Sequence, residues 1–118
     1  MRVANARLKA ISQINIDEDT ACIVVEMYYE TIKELLTALL LTKGFRSDNH
    51  ECLIAFLKHT YPSLDHEVRT IHQLKRLRNR INYEGAFVNP SYLAMNGPEI
   101  QHIIALLQEM VGPRERQN

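Results

Sequence analysis

The residues best equipped for chemistry lie in one stretch, 66–85, with the sequence HEVRTIHQLKRLRNRINYEG. From His66 to Tyr83, five cations (Arg69, Lys75, Arg76, Arg78 and Arg80) stand against a single acid, Glu67. That gives a local charge of +4 in a chain whose formal net charge is zero. A neutral chain with one basic segment attracts an anion at that segment and not over its whole surface. Guanidinium groups suit phosphate because they are planar, permanently charged and able to donate paired hydrogen bonds. Asn79 would add a carboxamide to orient the anion, and the Tyr83 phenol can donate a hydrogen bond or stack on a nucleobase.

The same stretch must be a helix to present those groups together. Val68, Ile71, Leu74, Leu77 and Ile81 recur at three- and four-residue spacing and form one apolar stripe. Arg78 falls at the edge of that stripe. Two readings of it are open: a fixed grip on phosphate, or a side chain that leaves the core edge and pairs with a glutamate on a neighbouring helix. His72, Arg76, Asn79 and Tyr83 follow one another at four, three and four, and so stack along a different side. Gly85 supplies the left-handed residue that ends the helix.

The run Leu-Arg-Asn-Arg-Ile-Asn-Tyr-Glu-Gly at 77–85 resembles the end of the signature helix of HEPN domains (higher eukaryotes and prokaryotes nucleotide-binding). In the nuclease members of that family the helix carries an arginine, usually a polar residue after it, and a histidine four to six residues on. Arg78-Asn79 matches the first part. Tyr83 stands where the histidine would be, and the next histidine downstream is His102. The flanking HECLIAFLKHTYP and YEG-x-F-V-x-P-x-Y runs are also similar to small prokaryotic HEPN proteins, so the resemblance covers about residues 18–112. It implies a homodimer in which two motif helices meet across a shared cleft that takes a nucleotide or RNA. Arg78 and Arg76 would contact phosphate, Asn79 would orient it, Tyr83 would stack or donate, and His72 and Arg80 would complete the ligand-facing set.

Tyr83 argues against efficient catalysis. A metal-independent ribonuclease must move the 2′-hydroxyl proton near neutral pH, which suits a histidine and not a phenol of pKa about 10. The expectation is therefore a nucleotide- or RNA-binding module. One alternative is a ribonuclease toxin with a nucleotidyltransferase antitoxin, using His72 for proton transfer or carrying Tyr83 as the modified residue. Another is a helical adaptor whose basic helix meets an acidic protein. Sequence-specific DNA binding would need a helix-turn-helix pair, and none is evident.

No metal or cofactor is expected. Glu99-x-x-His102 is half of a di-iron bundle motif, yet it occurs once, and His102 falls on the side of its helix opposite Ile100. Cys22 and Cys52 are widely separated within apolar patterns and read as buried, reduced thiols. The N-terminus has no apolar signal region, and the longest apolar run, 35–41, is broken by Thr37, so the expected location is cytoplasmic, with no membrane span.

The elements that must position the basic helix read as follows. With 118 residues, 46% hydrophobic and 24% charged, the chain suits one globular domain. A first helix is expected over 3–14, with Leu8, Ile11 and Ile14 or Ala4 inward. The acidic turn 17–19 precedes a long helix over about 18–43 whose wide apolar arc makes it the spine. Its remaining face carries Glu26, Glu30 and Glu34, as a solvated face or as a partner for the basic helix. A third helix over 49–60 is capped by Asp48 and Glu51, with Leu53, Phe56, Leu57 and Thr60 inward. Asp65 caps the basic helix. The last helix starts at Asn96-Gly97-Pro98-Glu99, after a connector with at most one turn at Tyr92-Leu93, and ends at Gly112-Pro113. The tail from Arg114 reads as loose. The sum is an all-α, antiparallel up-and-down bundle of four to five helices.

Overall fold

The computed structural model describes residues 2–112 and is all-α. Five helices follow one another: α1 (Arg2–Ser12), α2 (Ala21–Thr42), α3 (His50–Thr60), α4 (Asp65–Glu84) and α5 (Pro90–Val111), with a 3-10 turn at Pro62–Leu64. The tail beyond Gly112 lies outside the described residues.

The spine is α2, as its apolar arc predicts. Twelve of its 22 residues are buried, among them Ile32, Leu35, Leu36 and Leu39. A helix apolar over so wide an arc has to be covered from several sides, and α2 packs against α1, α3, α4 and α5. Each fully buried Leu or Ile contributes about 1.5–3 kcal/mol by leaving water, so this shared face dominates the stability of the bundle. α4 runs antiparallel to α2: Arg78 meets Glu26, and the Cys22 thiol reaches the Ala86 carbonyl at 3.8 Å. It joins the core through Val68, Ile71 and Leu74, all in its first half. From residue 75 onward no α4 side chain is fully buried, although Leu77 and Ile81 pack against the core edge.

Local signals explain most of the helix ends. Asp17 Oδ1 accepts from the amides of Asp19 (2.8 Å) and Thr20 (2.9 Å) and organises the entry to α2. Those hydrogen bonds, first from Thr20 and then from Asp19, hold the Asp17 carboxyl below its usual range. Gly85 ends α4 with φ of 67°, a conformation that costs a residue with a Cβ, and its amide donates to the Arg80 carbonyl.

Several boundaries differ from the sequence expectation. Asn49, not Asp48, caps α3; its Oδ1 accepts from Cys52 N at 3.1 Å. Asp65 is the first residue of α4 and does not cap it, because the 3-10 turn runs directly into the helix. Thr60 is exposed, and Ile54 takes its expected place in the core. The last helix begins at Pro90, not near Pro98. Asn89 Oδ1 accepts from Ser91 N at 2.9 Å, and Pro90 occupies the first turn, so the cap-then-proline signal is real but is used one helical segment earlier. The helix passes through Pro98, which faces solvent while Leu93, Gly97 and Ile100 stay buried on the inner side. Packing along that side outweighs the amide bond that proline cannot make. Cys52 is exposed and Cys22 half-buried, so neither is the fully buried thiol expected.

Candidate functional site

The basic helix divides into an inward and an outward set. Arg78 points inward, with its side chain 18% exposed. Its Nε donates to both carboxylate oxygens of Glu26, at 3.1 and 3.3 Å, and its Nη2 lies 3.5 Å from Glu30 Oε1. Its guanidinium carbon sits 5.6 Å from the centre of the Tyr29 ring, within cation–π range. Burial works against the charge of Arg78. The hydrogen bond and charge of Glu26, followed by the charge of Glu30, outweigh it and raise the pKa above the ordinary value. Glu26 and Glu30 are therefore partners of the basic helix and not a solvated acidic face. Glu34, the third member of that row, pairs with Arg7 on α1.

Two further residues complete this inward cluster, and sequence reasoning assigned a site role to neither. The Tyr29 hydroxyl and His50 Nδ1 are 2.8 Å apart, with ring centroids at 5.4 Å. Burial raises the Tyr29 pKa to about 12, against the lowering effect of Arg78. The phenol stays protonated there, and it donates to Nδ1 or accepts from it according to the tautomer of His50. Burial, then the charges of Lys33, Arg78 and Lys75, lower the His50 pKa. Tyr29 was hidden among the apolar residues of α2, and His50 had no ligand-like spacing. Only the i, i+4 pair Glu26 and Glu30 was a visible signal of an ion-pair face. Lys75, on the same helix as Arg78, pairs with Glu51 of α3.

The outward set is different. Arg76 and Arg80 are exposed, His72 and Asn79 are half-buried, and Tyr83 is 80% exposed. None of His72, Arg76, Arg80 and Tyr83 makes a side-chain hydrogen bond or ion pair with another described residue. Asn79 Oδ1 lies 3.4 Å from Arg78 Nη1, which ties it to the inward cluster. The structure thus joins Arg78 and Asn79 and leaves Arg76, Arg80 and Tyr83 together on the open side of α4. It forms no hydrogen bond between His72 and Arg78; His50 is linked to that guanidinium's surroundings through Tyr29.

The electrostatics of the two sets decide what each can do. A phosphate approaching Arg78 would meet two carboxylates already bound to it, so that arginine offers no net positive charge. Arg76 and Arg80 carry charge with no acidic side chain bound to them, in water, beside an exposed aromatic ring. That combination suits an anionic, base-bearing ligand. Elsewhere, His66 Nε2 lies 3.2 Å from Glu99 and His102 is exposed. Among the described residues, no three His, Cys, Asp or Glu side chains gather where a metal could sit, and no helix is long and apolar enough to cross a membrane. No protein-family model, curated protein or solved structure significantly matches this chain.

Proposed function

We propose that the chain is a nucleotide- or RNA-binding module that uses the open side of α4, as the HEPN resemblance suggests, but with the roles of its arginines redistributed. Arg76 and Arg80 contact phosphates, and Tyr83 stacks on a base. Arg78 with Asn79 holds α4 against α2 and so sets the angle at which the outer face is presented. The observation that carries this reading is that Arg76, Arg80 and the 80%-exposed Tyr83 share one side of a helix with no acidic side chain bound to them. A homodimer that sets two such faces across a cleft would double the number of phosphate contacts.

Catalysis is not part of the proposal. A ribonuclease needs a base at the 2′-hydroxyl, Tyr83 is a phenol in open water, and His72 has no contact with Arg78 that would organise a reaction centre. Retention and cleavage of labelled total RNA, measured side by side, test both statements. The wild type should retain RNA without cutting it, and Arg76→Ala/Arg80→Ala should lose retention while keeping its helical circular dichroism. Cleavage by the wild type would make the chain a ribonuclease and favour the toxin reading. Absence of retention would leave α4 as a surface for an acidic protein, a reading that the exposure of Tyr83 and Phe87 at its end would then favour.

A further inference from the structure

A second site lies away from α4, in the cleft where α1 and the turn after it close over α2 and α5. The cleft has a volume of about 490 Å³ and is walled by Leu8, Ile11, Ile14, Ile16 and Ile104. That volume is within the range of small-molecule sites, which are mostly apolar with a few placed polar groups. Here the placed group is Tyr28. Its side chain lines the cleft yet is only 3% exposed, and its hydroxyl oxygen accepts from Gln101 Nε2 at 2.9 Å. A phenol is also a donor, and the Tyr28 O–H donates to no other described residue. The hydroxyl hydrogen is thus free for an acceptor in the cleft, and a group that supplies one is favoured at that point over an apolar one. The remaining polar lining residues, Ser12 and Gln108, are neutral, and among the described residues no charged side chain lines the cleft. An ionised ligand would lose its hydration there without gaining a counter-charge.

We propose that this cleft binds a small neutral molecule with an apolar body and a carbonyl-type acceptor, held by the Tyr28 hydroxyl that Gln101 orients. The proposal does not depend on the reading of α4, which contributes no residue to the cleft. The neutral fluorescent naphthyl ketone Prodan is a suitable probe, because its emission shifts to the blue on burial and its ketone is an acceptor.

Titration of the wild type should give a saturable blue shift. Tyr28→Phe keeps the ring and removes only the donor, and should weaken binding about two- to tenfold, the range expected for one hydrogen bond. The ketone-free parent, dimethylaminonaphthalene, should bind the wild type and Tyr28→Phe equally, since it has no acceptor to lose. Ala105→Phe, at an exposed position on the rim, should obstruct the cleft and weaken the shift without disturbing the fold, checked by circular dichroism. Three results would overturn the proposal: no saturable shift, equal affinity of wild type and Tyr28→Phe for Prodan (water then suffices for the hydroxyl), or unchanged binding to Ala105→Phe.

Discussion

Arg78 and Glu26 are 52 residues apart in the chain and meet at 3.1 Å, Nε to Oε2, joining α4 to α2 at the edge of the core. The pair is partly shielded, with side-chain exposures of 18% and 34%, and Glu30 adds a second carboxylate at 3.5 Å. Its chief consequence is geometric: it fixes the half of α4 that contributes no fully buried side chain.

Removal of Arg78 should therefore be felt first in stability. Arg78→Ala leaves Glu26 and Glu30 facing each other at a core edge and is expected to cost about 1–2 kcal/mol, less than a fully buried pair would because solvent screens this one. Glu26→Gln should cost less, since Glu30 remains. Urea denaturation of the single and double variants measures this, and a coupling energy near zero would mean that the pair does not hold α4.

The His50 contact predicts a pH dependence. In the folded chain the imidazole is held below its ordinary pKa of 6.5, so the unfolded chain binds the extra proton first as pH falls. Stability should be greatest above pH 6.5, decline as pH drops below that value, and level off once the folded imidazole also protonates. His50→Gln keeps an acceptor for Tyr29 and removes the titration. The wild-type minus variant difference in urea midpoint should shrink between pH 7.5 and pH 5.5; a constant difference would show that His50 is not the group responsible.

RNA binding by the outer face should be salt-dependent in proportion to the arginines used. On single strands each phosphate contact contributes a slope of roughly 0.7 in log affinity against log salt, so Arg76→Ala and Arg80→Ala should each reduce the slope by about that amount. Tyr83→Ala should weaken binding by about 1–3 kcal/mol, as loss of a stacked base does, with little change in slope. The reverse pattern would assign the charge-dependent step to other residues.

Gly97 lies inside α5 directly before Pro98, and apart from its chain neighbours and the helix's own backbone a Cβ built there meets no atom within 4 Å. The proline ring crowds the Cβ of a helical residue that precedes it, so Gly97→Ala should not give the gain of about 0.5–1 kcal/mol usual for a helical glycine. A melting temperature raised by that amount would show that α5 relieves the crowding at Pro98.

The two thiols should separate by reactivity. Cys52 is exposed, whereas Cys22 is half-buried against the Ala86 carbonyl. A thiol reagent should modify one cysteine rapidly in the native chain and the second only slowly or after unfolding. Mass mapping should place the rapid adduct on Cys52, and equal rates would mean that the junction of α2 and α4 opens readily.

Much of this architecture was legible in the residues alone. The three- and four-residue spacing of Val68, Ile71 and Leu74, the wide arc of α2 and the stop at Gly85 depend on local periodicity and backbone freedom, which a sequence carries explicitly. The basic character of α4 and the exposure of Arg76 and Arg80 follow in the same way. Which of two similar start signals begins α5 did not follow. Asn89-Pro90 and Asn96-Gly97-Pro98 offer comparable local chemistry, and burial of Leu93 ahead of Gly97 and Ile100 on one continuous side decided for the first. The role of Arg78 was undecidable for a deeper reason. Its position at a core edge is set by the helical period, but its partners are 48 and 52 residues away on another helix. Whether an arginine faces a phosphate or a glutamate depends on how two helices pack, and that is a property of the folded bundle as a whole.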